Sequence, residues 1–235
     1  REVKEEARLV LFDLDHTLLA ADTNSLWLDF LADQGYLDKE RITREQQRWY
    51  ADYVNGCLDF ESYMRFQLEP LRGIPRITLI SLRDRFSRTR LAPKIAPGAT
   101  ALVRAHHDQG HICAIVTATH HFLAEPVAKL VNIEHLIATE AQLVNGFFTG
   151  YPGNMLCFGE GKIIAVEQWL ERAGTDPTLV DGASFYSDSS NDLPLLERVA
   201  NPVAVDPDEC LKTIAMQRGW PMISLRHGSG SEAVD

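Results

Sequence analysis

The residues of this chain best equipped for chemistry fall into four short clusters: Asp13-Leu14-Asp15-His16-Thr17, Thr117-Ala118-Thr119, Gly159-Glu160-Gly161-Lys162 and Ser187-Asp188-Ser189-Ser190-Asn191-Asp192. Asp13 and Asp15 are alternate residues, so an extended backbone starts them on one face. Two carboxylates that close repel unless a cation lies between them or one carries a proton. The pair therefore points to a metal site, or to a nucleophile with an acid/base partner. Asp-x-Asp is also what a strand running into a turn commonly offers, so the other clusters must decide. Taken together, several carboxylates, a threonine hydroxyl and a lysine suit phosphoryl transfer. A carboxylate can attack phosphorus and split one displacement into two easier ones through an acyl phosphate. Magnesium, bound by oxygen ligands, would screen the charge shared by nucleophile and substrate. A hydroxyl and an ammonium would hold the phosphoryl oxygens as charge spreads over them.

These clusters need elements that bring them to one place. Leu9 to Phe12 is a continuous apolar run, the pattern of a strand buried on both faces in a parallel sheet. Asp13 follows it, at the strand end where open α/β sheets bind ligands. Ile112 to Val116 reads as a second such strand, ending in Thr117-Ala118-Thr119, and Ala183 to Tyr186 as a third, ending in the Asp188 cluster. Ile133 to Thr139, Pro202 to Val205 and Met222 to Leu225 are further strand candidates. Leu143 to Phe148 carries the Asn-Gly signal of a tight hairpin. Helices are predicted from Ala96 to Gln109, His120 to Val131, Ile163 to Ala173, Leu193 to Val199 and Asp208 to Arg218. The alternation predicts a doubly wound α/β core with a parallel sheet. Residues 20–92 break it: Asp22 to Gly35, Lys39 to Asn55, Asp59 to Leu71 and Pro75 to Thr89 read as helices, each with a capping or breaking residue at an end. The expected organisation is a core of residues 1–19 and 93–226, an inserted helical cap of residues 20–92 that hangs over the strand ends as a lid, and a tail of residues 227–235. Trp49, Tyr50, Tyr53, Phe60, Tyr63 and Phe66 recur at helical spacing and read mainly as a small helical core.

In order and spacing, D-L-D-H-T, V-T-A-T, G-E-G-K and S-D-S-S-N-D resemble the four motifs of the haloacid dehalogenase superfamily of phosphohydrolases. The helical insertion is similar to that of its phosphoserine-phosphatase-like branch. The resemblance implies Asp13 as nucleophile, and Asp15 as the group that protonates the leaving oxygen and then activates water. It implies Mg2+ held by the carboxylates of Asp13 and Asp188 and the backbone carbonyl of Asp15, with support from Asp192. It implies Thr117 and Lys162 as phosphoryl binders, with Thr119 and Asn191 at the substrate. The last motif usually opens Gly-Asp; Ser187-Asp188 keeps the carboxylate. Asp22 stands where phosphoserine phosphatases carry a lid glutamate for the substrate amine, and it can equally cap a helix. Gln67 aligns with their lid arginine, with Arg65 on another helix face. A substrate carboxylate would be poorly held without that guanidinium. An amino-alcohol phosphate such as histidinol phosphate fits better than phosphoserine.

The 235 residues are 45% hydrophobic and 24% charged, with a formal net charge of −10. That acidity argues against a nucleic acid backbone or an anionic membrane as partner and leaves a small-molecule phosphate ester possible. Cys57, Cys113, Cys157 and Cys210 are scattered without zinc spacing; they read as buried or half-buried free thiols of a reducing compartment. No apolar leader is visible in Arg1 to Ala7 and no run of ~18 apolar residues occurs, so a cytoplasmic enzyme is expected. His120 and His121 read as a helix start, His106 and His107 as outer-helix residues, and His16 as packing beside the lid. No heptad seam sets an oligomeric state. A phosphotransferase, or a phosphate-sensing module without turnover, would use the same residues; the paired Asp13 and Asp15 argue for turnover.

Overall fold

The computed structural model of the chain describes residues 8–227. Leu9–Phe12 forms strand β1, buried at all four positions. Helices α1 (Thr23–Asp33), α2 (Lys39–Val54), α3 (Phe60–Leu68) and α4 (Arg76–Phe86) follow. Then come α5 (Ala99–Asp108), β2 (Ile112–His120), α6 (His121–Leu130), β3 (His135–Thr139) and the hairpin strands β4 (Ala141–Val144) and β5 (Phe147–Pro152). The chain continues through α7 (Glu160–Arg172), β6 (Ser184–Ser187), α8 (Leu193–Arg198), β7 (Asn201–Val205), α9 (Glu209–Arg218) and β8 (Met222–Ile223).

The main sheet has the order β3-β2-β1-β6-β7-β8, with every pairing parallel. The chain builds outward from β1 on one side, then returns to add β6 on the other. The crevice at such a reversal, outside the carboxyl ends of β1 and β6, is where this architecture binds ligands. Alternate residues of β1 feed two different cores. Val10 and Phe12 pack with α1, α4, α5 and α6 residues, whereas Leu9 and Leu11 pack with residues of α7, α8 and α9. Helices on both faces are why the strand is apolar throughout. Each of these side chains contributes roughly 1.5–3 kcal/mol of burial free energy before entropy is counted.

Residues of α1–α4 such as Leu28, Met64 and Leu79 share one apolar cluster with Val10 and Phe12. Residues from all four helices thus belong to the same apolar cluster as one face of β1. Three of these helices are capped by the aspartate that precedes them: Asp22, Asp38 and Asp59 accept from Ser25, Arg41 and Ser62 backbone N–H groups. Asn145 and Gly146 both have positive φ in the β4–β5 turn, as a primed two-residue hairpin requires.

Three expectations are corrected. Strand β2 does not stop at Val116; it runs to His120, with an irregularity in its pairing to β3 between Thr117 and His120. Helix α7 begins at Glu160 rather than Ile163, which places Lys162 in its first turn. Cys57 and Cys210 are exposed; only Cys113 and Cys157 are buried, and all four thiols are free. Of the expected tail, residues 228–235 lie outside the described residues. Among the described residues no helix is long and apolar enough to cross a membrane.

Candidate active site

Asp13 directly follows β1, and its N–H continues the sheet ladder by donating to the Tyr186 carbonyl at 2.9 Å. The chain then turns sharply. His16 takes φ of 59°, a left-handed conformation unusual for histidine. The Arg226 guanidinium pins this turn, donating to the His16 carbonyl at 2.5 Å and the Leu19 carbonyl at 3.3 Å. Both Asp13 and Asp15 thereby face one cavity of about 220 Å³.

Lys162 reaches the same place from the opposite core. Its side chain is buried, and Nζ donates to Asp13 Oδ1 and Asp192 Oδ2, each at 2.7 Å. Two glycines make the approach possible. Gly159 takes a positive φ, and a Cβ on Gly161 would overlap the Leu156 carbonyl. The Gly-Glu-Gly-Lys pattern is thus a tight turn that seats a lysine at a helix start. Burial works against the Lys162 charge, but Asp13 and Asp192 outweigh it and hold its pKa above the ordinary lysine value.

The remaining carboxylates follow from β6. Asp188 Oδ1 accepts from Thr17 Oγ1 at 2.8 Å. Asp192 Oδ2 accepts from Ser187 Oγ at 2.7 Å as well as from Lys162. Asp15 is held by both oxygens: Oδ1 accepts from the N–H of Thr23 at 2.9 Å and from its hydroxyl, and Oδ2 from Thr119 Oγ1 at 2.6 Å. Thr119 N–H in turn donates to Thr117 Oγ1 at 3.1 Å. The irregular end of β2 turns these two alternate hydroxyls inward.

Burial pushes the Asp13 carboxyl up to about 6, with Asp192 adding and Lys162 opposing. Burial, then the Asp22 charge, pushes Asp15 up to about 8. Asp188 is likewise raised by burial and by Asp13. The common cause is too much negative charge in a dry place. Five aspartates line the cavity (Asp13, Asp15, Asp22, Asp188 and Asp192), and Lys162 is the one lysine or arginine among the described lining residues. A divalent cation would redress that balance. No trio of His, Cys, Asp or Glu side chains forms a ready metal cage among the described residues. Magnesium needs none, since it takes few protein carboxylates and keeps several waters. The donor set of Asp13, Asp188 and nearby backbone carbonyls fits it on chemical grounds.

All the residues singled out from sequence as site candidates line this one cavity: Asp13, Asp15, Thr117, Thr119, Lys162, Asp188, Asn191, Asp192, Asp22 and Gln67. Asp22 also caps α1 at 2.6 Å from Ser25 N. Gln67 is buried with Oε1 unpartnered, as is Asn24 Oδ1. Arg65 is elsewhere, over the Tyr151 ring at 4.7 Å. The reading of the insertion's aromatics as core holds for Phe60, Tyr63 and Phe66, which pack against the main apolar cluster, and for the buried Trp49, which meets Tyr63 and Phe66; Trp49, Tyr50, Tyr53, Phe60 and Tyr63 also line the cavity, and Phe66 does not. His120 is fully buried and, like His121, is absent from the cavity wall. His106 lies in an outer helix as expected, yet it bonds the His111 ring and the Tyr186 hydroxyl, each at 2.9 Å. Sequence reasoning gave no role at the site to Thr17, Thr23, Ser187 or Ser189, and read Thr23 only as a possible helix cap. Their hydroxyls sit beside motif carboxylates in sequence, but hydroxyls are common in turns, so nothing marked them.

A family profile described as haloacid dehalogenase-like hydrolase matches residues 10–197. A histidinol-phosphatase of Neisseria meningitidis is 35% identical over 221 residues, 93% of this chain and 99% of that protein. A phosphoserine phosphatase of Mycobacterium tuberculosis is 33% identical over 92% of this chain and 70% of its own length. Among solved structures, a protein of unknown function from Bordetella pertussis Tohama I superposes with a TM-score of 0.86 at 38% identity, covering 93% of this chain and 99% of its own. A substrate-bound phosphoserine phosphatase shares the fold, with a TM-score of 0.66 at 16% identity over 89% of this chain and 90% of its own.

Proposed function

Since the chain belongs to the haloacid dehalogenase-like hydrolases and is a phosphatase of that family, we propose that it is a magnesium-dependent phosphomonoesterase acting through a phosphoaspartyl intermediate. One observation carries this reading: Asp13, Asp15, Lys162, Asp188 and Asp192 meet at one end of a single cavity. Asp13 attacks phosphorus with a carboxylate oxygen. Lys162 and Thr117 hold the phosphoryl oxygens. Asp15 gives its proton to the departing ester oxygen, and the alcohol leaves. Asp15, now ionised, takes a proton from water as that water attacks the phosphoaspartate, which frees Asp13 and inorganic phosphate. Asp13, Asp188 and the Asp15 carbonyl would hold magnesium, with Asp192 in support. When bound, magnesium screens the repulsion between the ester and the Asp13 carboxylate. Asp192 also keeps Lys162 aimed at Asp13. The free thiols support a reducing compartment, and a cytoplasmic location is part of this reading.

The rest of the cavity supports a cationic head group. The Asp22 carboxylate and the unpartnered Asn24 Oδ1 and Gln67 Oε1 offer acceptors, and no arginine lines the wall among the described residues to receive a carboxylate. The rings of Trp49, Phe60 and Tyr63 offer flat apolar faces. An amino-alcohol phosphate such as histidinol phosphate suits that lining, and residues 20–92 are the cap that selects it.

Two measurements test this. Steady-state kinetics with magnesium should give kcat/KM for histidinol phosphate at least about 100-fold above that for phosphoserine, the scale on which an unpaired buried charge is rejected. Equal or better turnover of phosphoserine overturns the substrate assignment. Chelation should abolish hydrolysis of every ester and added magnesium should restore it; turnover indifferent to chelation overturns the metal assignment.

A further inference from the structure

Besides the Thr23 bonds to Asp15, the helical insertion touches the catalytic loops through Phe60 and Tyr53. Phe60 at the start of α3 stacks on Phe158, just before the Lys162 turn, with ring centroids 4.6 Å apart and planes 10° from parallel. Tyr53 near the end of α2 places its hydroxyl 2.6 Å from Ser189 Oγ, next to Asp188. Counting hydrogens decides the direction of that bond. Ser189 Oγ already accepts from Asn191 N at 3.2 Å and Asn191 Nδ2 at 3.3 Å. A hydroxyl has two acceptor sites and one proton, so the Ser189 proton is left for Tyr53. Tyr53 is then the acceptor, and its own proton remains available.

That proton lies at the reacting end of the cavity. Asp188 and Asp192 both act electrostatically on the Tyr53 hydroxyl, which the Asn191 side chain also approaches, whereas Asp22 and Asp15 act on the Tyr63 hydroxyl. Burial pushes the Tyr53 phenol up to about 12, so it stays a donor throughout the neutral range.

Resting on the phosphatase reading above, we propose that Tyr53 donates its hydroxyl proton in a hydrogen bond to the substrate's phosphoryl oxygens, and that Ser189 is the positioning residue that orients it. The insertion then contributes to turnover of every ester and not to head-group choice alone.

The test compares Tyr53→Phe, Ser189→Ala and the double variant. Tyr53→Phe is expected to lower kcat/KM roughly 10- to 100-fold, the loss expected of a hydrogen bond to a charged group. The same factor should appear with histidinol phosphate and with p-nitrophenyl phosphate. Calorimetric binding of inorganic phosphate to the magnesium-loaded protein should weaken about tenfold on the same grounds. Ser189→Ala is expected to cost about fivefold alone and less than about twofold on top of Tyr53→Phe, because a positioning group has nothing left to orient. Magnesium affinity and Tm should be unchanged in both single variants, which separates this role from damage to Asp188. A loss confined to histidinol phosphate, unchanged phosphate binding, or effects that multiply would each overturn the proposal. If the wild type hydrolyses no ester, the phosphatase reading fails, while the phosphate titration still decides the role of Tyr53.

Discussion

Asp13→Asn is expected to lower kcat on the order of 10,000-fold or more while leaving the chain folded, because it removes the nucleophile and little else. The carboxamide keeps the shape of the carboxylate. Lys162 retains its 2.7 Å bond to Asp192, so the buried ammonium is not abandoned. Stability should move in the opposite direction from activity. Asp13 titrates at about 6 in the fold against an ordinary 3.8. A carboxyl raised in this way stabilises the fold below its unfolded pKa, and that contribution is lost as pH rises through the folded value. In chelated protein at pH 8, ionised Asp13 is therefore a burden of roughly a few kcal/mol, which asparagine does not carry. Thermal unfolding of metal-free protein should show a higher Tm for Asp13→Asn than for wild type at pH 8, and little difference at pH 4. Rapid-quench phosphorylation assays should find labelled protein in the wild type and none in the variant. A variant that keeps full activity would remove Asp13 from the chemistry altogether.

The parts of this site that were legible in the sequence are those set by local rules. A doubly buried strand must be apolar throughout, so Leu9 to Phe12 announced both β1 and the position of Asp13. A helix N-terminus needs a side-chain acceptor, so Asp22, Asp59 and Asp208 marked three helix starts, while the cap at Asp38 went unread. Glycines on either side of Glu160 announced the turn that seats Lys162, although the clash with Leu156 that demands Gly161 is a tertiary fact. What was not legible depends on contacts between distant segments. Thr23 binds Asp15 because α1 begins where the His16 turn delivers it. Ser187 holds Asp192 across a turn, and Tyr53 meets Ser189 across 136 positions. No periodicity encodes these pairings. The aromatics of α2 and α3 show the same limit. Helical spacing gives the same stripe whether its rings fill a core or line a cavity, and here Trp49 and Tyr63 line the cavity while Phe66 does not.

Lys162→Met is expected to be the most destabilising single change in the site, and its pH dependence should identify the cause. Methionine matches the length of the lysine stem, so little packing is lost. What disappears is the cation between Asp13 and Asp192. Stranding buried carboxylates this way costs about 3–5 kcal/mol, or on the order of 10 °C in Tm for a chain of this size. The cost is not constant with pH. Asp13 already titrates near 6 with Lys162 opposing the rise, so losing the lysine drives it higher. A carboxyl raised above its unfolded pKa contributes stability that fades as pH climbs through the folded value. Lys162 itself has a raised pKa, so in the wild type its charge is present at every pH from 5 to 9. The gap between wild type and variant in chelated protein should thus be small near pH 4 and widen through pH 6 toward pH 8. A gap that stays level across that range would mean the loss is packing, and that Lys162 does not govern the charge on Asp13. Magnesium should recover part of the stability at pH 8, since a divalent cation also offsets the stranded carboxylates. It should not recover turnover, because the phosphoryl oxygens would still lack the ammonium that Lys162 brings to Asp13. Stability and catalysis would then respond differently to the same added charge, which separates neutralising the site from holding the group it transfers.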